Sequence, residues 1–334
     1  MCTDRPEDCP EKPPGPVFVS GRQHSGNTVV SLIFARIPGC FAIDQEGIFF
    51  DHRTRLDRTK DPVPRARWIA SNLKLRSDEL TRQAIDHLSA WARQHRDADA
   101  LAQYLEVMRY LTATTGNRFW QQKATGYIFH GRQVLTSIPD SRMVYLIRNP
   151  YDVSASLKRR APWHERIVGW GISWNKGLAI ARRLKQDFPG RVHLLRYEHL
   201  VSQPQQSVAA LCEFVGVPFD PSYLDVPHVN PAEAMYQVVD GPRGLNTSRL
   251  YYYVDRLSPA EIAALDLVVS RRWIKHYYPD LPHRSKPRTA AATLGGFWLV
   301  ALGPFHYGWT KLRIGRNTQS GPFIERMLRR LLAR

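Results

Sequence analysis

Gly21-Arg22-Gln23-His24-Ser25-Gly26-Asn27-Thr28 follows directly on the apolar run Val17-Phe18-Val19. Its two glycines have the spacing of a phosphate-binding loop between a strand and a helix. Glycine lets the backbone come close to an anion, and the helix start behind it turns free N–H groups toward the same point. In nucleoside triphosphatases a lysine in this loop reaches the β- and γ-phosphates. Here Asn27 holds that position. The stretch therefore reads as an anion cradle without the triphosphatase charge. Taken alone, it leaves open a tight strand-to-helix turn that binds nothing.

A second element points the same way. Met143-Val144-Tyr145-Leu146-Ile147 is an apolar run of the kind that forms a buried strand, and Arg148-Asn149-Pro150-Tyr151-Asp152 follows it. Asn149 is a helix N-cap, Pro150 suits the first helical position, and Asp152 falls in the first turn. Arg148 is then held at the carboxyl end of a strand, where its planar fork suits a phosphate. Ser156 lies about two turns into the helix, so whether it shares a ligand with Arg148 depends on how the helix leans.

The loop at 21–28 followed by Arg148-Asn149-Pro150 and Ser156 resembles the sulfotransferases that use 3′-phosphoadenylyl sulfate. Pro139-Asp140-Ser141-Arg142, Arg196-Tyr197-Glu198-His199-Leu200 and Phe214-Val215-Gly216-Val217-Pro218 resemble the same family, so the likeness runs over residues 16 to 283. It implies that Arg22, Gln23, His24, Ser25, Gly26, Asn27 and Thr28 hold the 5′-phosphosulfate. It also implies that Arg148 and Ser156, eight residues apart, hold the 3′-phosphate. The family usually has Lys or Arg where this chain has His24. Histidine, with an ordinary pKa of about 6.5, serves there as a cation or as a neutral donor. Lys123, in Gln122-Lys123-Ala124-Thr125, resembles the family's Lys-Thr-Pro segment without its proline and is a candidate for steadying the sulfate. A late basic loop covers the 3′-phosphate and adenine in the family. Arg249 is the candidate here, with Arg243 its rival.

Sulfuryl transfer builds charge on the leaving oxygen, which preorganised donors stabilise, and it removes a proton from the acceptor. The resemblance implies a His or Glu base. Glu46, just past the apolar residues 40–43, is the candidate, with Asp44 and His52 as neighbours able to take the role. The chemistry asks for no metal, and the twelve histidines show no metal-ligand spacing.

The chain has 334 residues and a net charge of +17, which favours anionic ligands: a nucleotide, an acidic substrate, nucleic acid or a membrane surface. Four scattered cysteines offer neither a disulfide framework nor a metal site. Residues 1–16 lack a signal peptide, so the expected compartment is the cytosol. Residues 1–15 read as a proline-rich arm. Strands are expected at 16–20, 40–43, 143–147 and 192–196. Helices are expected at 27–37, 77–95, 98–112, from Ser202 to near Gly216, and from the capping box Ser258–Glu261 to about 276. The segment 52–76 reads as a basic loop. Strands alternating with helices predict an α/β fold, a mainly parallel central sheet flanked by helices in three layers, with ligands at the strands' carboxyl ends.

The domain is expected to span 16–286, followed by a tail of different composition. Thr293 to Trp309 is apolar and aromatic, interrupted by Pro304 and shorter than the roughly 20 residues that span a bilayer. From 287 onward eight Lys and Arg face one acidic residue, and Phe323 to Arg334 has the pattern of a basic amphipathic helix. Such a tail suits an anionic membrane or packs back on its own domain.

Two other functions compete. A P-loop small-molecule kinase lacks its lysine at Asn27 and a clear Mg²⁺-binding carboxylate. A non-enzymatic basic protein binding membrane or nucleic acid has no need of two anion elements at strand ends. The acceptor, O- or N-sulfation and the oligomeric state have no code in the residues.

Overall fold

The computed structural model describes residues 14–158, 167–229, 238–282 and 289–314. Among these, one compact unit takes in the residues up to Ser156 together with Trp174–Tyr252. A second takes in Leu157–Ser173 and the residues from Tyr253 onward. Most of the arm before residue 16 and the basic stretch Phe323–Arg334 lie outside the described residues.

The first unit is built on β1 (Val17–Gly21), β2 (Cys40–Ile43), β3 (Phe119–Lys123), β4 (Arg142–Ile147) and β5 (Val192–Arg196). They form one parallel sheet in the order β2-β3-β1-β4-β5, with Val19 beside both Lys123 and Val144. Alternation along β1 sends Val17 and Val19 to one face and Phe18 to the other. On the first face Val17, Val19, Val144 and Leu146 join Val30, Ile33 and Phe34 of α1 (Asn27–Phe34), together with Val208, Leu211 and Val215 of the helix Pro204–Val215. On the second face the Phe18 ring meets Trp120 at 5.3 Å, Tyr127 at 5.8 Å and Phe50 at 6.1 Å. Phe49 and Phe50 open α2 (Phe49–Asp57), and Phe49 stacks at 4.2 Å on Tyr104 from the helix Ala100–Thr114. Both faces of the sheet are thus covered, which gives the three layers and the α/β class.

The basic segment 52–76 is helical, not a loop: α2 is followed by α3 (Pro62–Ser71). Asp61 caps α3 by accepting from the Val63 amide at 3.0 Å, with Pro62 at the first position. Ala66, Ile69 and Ala70 form its buried side, while Arg55, Arg58 and Arg67 face outward. Arg65 is buried and donates to Gln103 Oε1 at 2.9 Å. The many arginines, most of them on the open faces, hid an ordinary pair of amphipathic helices.

Strand β3 shows no apolar run because Gln121 and Gln122 occupy it, yet all five of its residues are buried. Each glutamine carbonyl finds a donor: Ser31 Oγ donates to Gln121 Oε1 at 2.7 Å, and Tyr104 OH donates to Gln122 Oε1 at 2.6 Å. Residues 225–250 contain a short antiparallel pair, β6 (Pro227–Val229) and β7 (Val238–Arg243).

In the second unit the Ser258–Glu261 capping box opens the helix Pro259–Val268. That helix stops short of 276, and a separate one covers Arg271–Tyr277. Pro304 does not interrupt the tail, where one helix runs from Ala290 to Ile314. A single proline removes one backbone bond and kinks a helix without unwinding the turns on either side.

Candidate active site

Strand β1 sits where the chain changes direction across the sheet, with β2 and β3 on one side and β4 and β5 on the other. The carboxyl ends beside such a switch form the ligand crevice of open α/β sheets. Gly21, Lys123, Ile147 and Arg196 end β1, β3, β4 and β5 at that edge.

Close approach dictates the glycines of the first loop. A Cβ on Gly21 would stand 2.5 Å from Asn27 Oδ1 and 2.9 Å from the Leu146 carbonyl. Gly26 has φ +99°, and a Cβ there would stand 2.6 Å from Tyr197 Cδ2. Gly26→Ala therefore combines a left-handed backbone with a clash on a packed ring. We expect it to cost about 2–5 kcal/mol, read as a lower Tm of the donor-free protein. An unchanged Tm would show that Tyr197 swings away freely.

The Asn27 amide laces the loop, donating to the carbonyls of Gly21 at 3.1 Å and Arg22 at 3.2 Å. Helix α1 begins at Gly26 without a side-chain cap, so its first-turn amides are left for another acceptor. Ser25 Oγ, Arg22 Nε and Arg148 Nε are buried without a hydrogen-bond partner. The Arg22 guanidinium lies 5.8 Å from the Phe129 ring centroid. Burial pushes its pKa down, against the pull of Tyr145 and Glu46. Gln23 is exposed.

His24 is where the two anion elements meet. Its backbone is left-handed at φ 65°, its carbonyl accepts from Arg148 Nη1 at 2.7 Å, and its Nδ1 lies 3.1 Å from Ser156 Oγ. The helix α7 (Pro150–Lys158) thus leans so that Ser156 and Arg148 reach the same residue. Asn149 Oδ1 accepts from the Tyr151 amide at 3.0 Å, as expected of a cap, and the Asn149 amide donates to Glu198 Oε1 at 2.8 Å. The Arg148 carbonyl accepts from Trp174 Nε1 at 3.2 Å. Its guanidinium stacks 4.1 Å from the Tyr197 ring centroid, and Nη2 donates to the Arg249 carbonyl at 3.2 Å.

Arg249 meets this cluster through its carbonyl, while its guanidinium lies 5.5 Å from the Tyr252 ring centroid. Its loop is tied to the start of α7: the Tyr251 amide donates to Asp152 Oδ2 and Tyr252 OH donates to the Asp152 carbonyl, both at 3.0 Å. Arg243 is engaged elsewhere, with the carboxylate and carbonyl of Asp225.

Lys123 is buried at the end of β3, with Nζ 3.3 Å from Thr28 Oγ1. Burial lowers its pKa, while Glu46 and Asp44 act to raise it. Glu46 Oε1 accepts from the Thr125 amide at 2.6 Å and from the Thr125 hydroxyl. The next amide, Gly47, donates to the Lys123 carbonyl at 2.8 Å. Asp44 is held by Arg76. Burial alone would raise its pKa, but the hydrogen bonds and charge of Arg76 outweigh it, and the carboxyl sits below its usual range. The His52 ring packs edge-on against Trp68 at 5.0 Å. The structure therefore places Glu46 beside Thr125 and Lys123, and commits Asp44 to an ion pair.

Sequence reasoning assigned no role to Tyr197, Thr125 or Trp174. Tyr197 walls the cradle behind Gly26 and carries Arg148. Its signal was its place in Arg196-Tyr197-Glu198-His199-Leu200, directly after the arginine that ends β5. Among the described residues no group of three or more His, Cys, Asp or Glu is placed to hold a metal ion.

Several solved structures are similar to this chain. The sulfotransferase domain of the Synechococcus olefin synthase is 19% identical, with 89% of this chain and 96% of that one covered and a TM-score of 0.45. The sulfotransferase domain of the curacin biosynthetic pathway is also 19% identical, with 86% and 97% covered and a TM-score of 0.47. A mouse sulfotransferase complexed with PAP is 13% identical, with 79% and 89% covered and a TM-score of 0.43. No curated protein matches the chain. The sulfotransferase family model matches residues 16–221, a span that begins just before β1, contains the five parallel strands and takes in both anion elements that converge on His24. The chain belongs to the sulfotransferase family.

Proposed function

We propose that this sulfotransferase takes its sulfuryl group from 3′-phosphoadenylyl sulfate and passes it to a hydroxyl or amine of an acceptor of carbohydrate, lipid or small natural-product type. One observation carries the reading. An uncapped helix start with a buried, unpartnered Ser25 hydroxyl lies beside Arg148 and Ser156, all gathered around His24. Buried polar atoms without partners are costly, and an oxyanion satisfies them.

In this reading the amides of residues 24–28, with Ser25 and Thr28, hold the 5′-phosphosulfate. Arg148 and Ser156 hold the 3′-phosphate, with Arg249 beside them. Ser156 then gives up His24 Nδ1 for a phosphate oxygen. His24 and Lys123 face the group in transfer and stabilise charge on the leaving oxygen. Glu46 takes the acceptor proton. The donor supplies the SO₃ group and departs as adenosine 3′,5′-bisphosphate.

Thermal melting with adenosine 3′,5′-bisphosphate, ATP with Mg²⁺, and a DNA oligomer tests the donor class. At 100 times its Kd a ligand of the native state adds about 2.7 kcal/mol, a readable rise in Tm. We expect that rise with the bisphosphate. A rise with ATP and Mg²⁺ alone would favour the kinase reading, and with DNA alone the non-enzymatic one. Incubation with the sulfated donor and a panel of alcohols, phenols and amines, read by mass spectrometry as the gain of one SO₃, then finds the acceptor class.

A further inference from the structure

The Arg22 side chain lies across β1 from the helix that forms the anion cradle. Phe18 meets Tyr127 at 5.8 Å, Ser20 Oγ accepts from the Ile128 amide at 3.1 Å, and the Arg22 guanidinium lies 5.8 Å from the Phe129 ring centroid. Alternate residues of the strand and its end thus climb the turn Tyr127–His130 one step at a time. Val17 and Val19 pack with α1 on the opposite face. The Arg22 carbonyl stays with the cradle, where it accepts from the Ser25 amide and from Asn27 Nδ2. Its guanidinium is on the side of Thr125 and Glu46: Ser20 Oγ also donates to the Thr125 carbonyl at 3.2 Å, and the Thr125 amide holds Glu46.

This guanidinium is a covered charge in want of a partner. Its Nε is buried without a hydrogen bond, and among the described residues it forms no ion pair. Glu46 is near enough to act on its charge but holds Thr125 with Oε1. Gly177, in the helix Ile167–Asp187, keeps the space beside it: a Cβ there would stand 2.6 Å from Tyr145 OH and 3.8 Å from Arg22 Cδ. Burial opposes the charge, and a buried charge persists where an opposite one meets it. A ring under a guanidinium leaves the in-plane N–H donors available. The donor's own anions already have the cradle amides, Arg148 and Ser156.

We propose that Arg22 binds a carboxylate carried by the acceptor, so that the preferred acceptor is a hydroxy- or amino-substituted carboxylic acid that presents its nucleophile to Glu46. The inference rests on the sulfotransfer reading with Glu46 as the base. The acceptor oxygen or nitrogen bonds to sulfur, the donor's phosphate oxygen leaves with the S–O electron pair, Glu46 takes the proton, and the carboxylate is unchanged. The arginine fork matches the two carboxylate oxygens, and a neutral analogue leaves it unpaired.

The test uses matched acceptors: p-hydroxybenzoate, β-hydroxydecanoate and glucuronate, each beside its methyl ester. Full-length protein and 3′-phosphoadenylyl sulfate are incubated with each, and the gain of SO₃ gives kcat/KM. The acid of a reacting pair is expected to exceed its ester by roughly 10–150-fold, the equivalent of one charge-assisted contact. Arg22→Gln should lower the acid to the level of the ester and leave the Tm rise with adenosine 3′,5′-bisphosphate unchanged. Arg22→Lys, which keeps the charge, should restore part of the preference. Equal use of acid and ester by the parent would overturn the proposal, as would no reaction with any pair while the bisphosphate raises Tm. An equal loss for acid and ester in the Gln variant would overturn it by placing Arg22 on the sulfuryl group. A lower Tm with the preference intact would make Arg22 a brace on Phe129. Absence of a bisphosphate response in the parent would remove the donor reading, and this proposal with it.

Discussion

Glu46→Gln is expected to lower turnover by about 10²–10⁴-fold, the range for loss of a general base, and to leave donor affinity nearly unchanged. The substitution is selective because of how Glu46 is held. Its Oε1 accepts from the Thr125 amide and hydroxyl, and a glutamine carbonyl accepts from both in the same way. The clamp on Thr125 therefore survives while the proton acceptor is lost. The measurement is steady-state kinetics with an acceptor from the panel, together with the Tm rise for adenosine 3′,5′-bisphosphate. Full activity in the variant would make Glu46 a clamp only. His52 would then be the base to test next, because Asp44 is committed to Arg76.

Arg148→Ala should weaken adenosine 3′,5′-bisphosphate by roughly 10–150-fold, the equivalent of one charge-assisted contact of about 1.5–3 kcal/mol. Adenosine 5′-phosphate, which lacks the 3′-phosphate, should lose far less. The structure adds a complication that this comparison resolves. Arg148 also donates to the carbonyls of His24 and Arg249 and stacks on Tyr197, so its removal loosens two loops as well as a ligand contact. A loosened cradle would weaken both nucleotides equally, and that result would reduce Arg148 to a brace between loops. Arg148→Lys keeps the charge without the planar fork and should fall between the parent and the alanine variant.

Much of the fold was legible because its signals are local. The apolar runs 17–19 and 143–147 read as strands buried on both faces. Asn149-Pro150 and Ser258-Pro259 open helices through chemistry confined to a few neighbouring residues. Strand β3 was not legible. Gln121 and Gln122 are buried only because Ser31 and Tyr104, distant in sequence, supply donors. Nor were α2 and α3, most of whose arginines face solvent on helices that bury alanine, isoleucine and leucine. Charge density reads as a loop until the periodicity beneath it is compared with a surface to pack on.

The candidate site divides along the same line. By itself the amino-acid sequence determined that a glycine-spaced loop joins a strand to a helix at 21–28, that Arg148 directly follows a strand, and that a serine comes eight residues later. Glycine spacing, apolar runs and helix caps act over a few residues and need no partner. Only the tertiary structure decided that Ser156 and Arg148 meet at His24, because that depends on the lean of α7 beside β1. It likewise decided that the Arg249 carbonyl accepts from Arg148, while the Arg243 guanidinium is engaged by Asp225. It decided that Asp44 is spent on Arg76 while Glu46 is held beside Lys123, and that Tyr197 closes the back of the loop. Each of these turns on which of several similar side chains arrives first at a shared partner. That choice is made by packing between segments 18 to 132 residues apart, where local sequence carries no information.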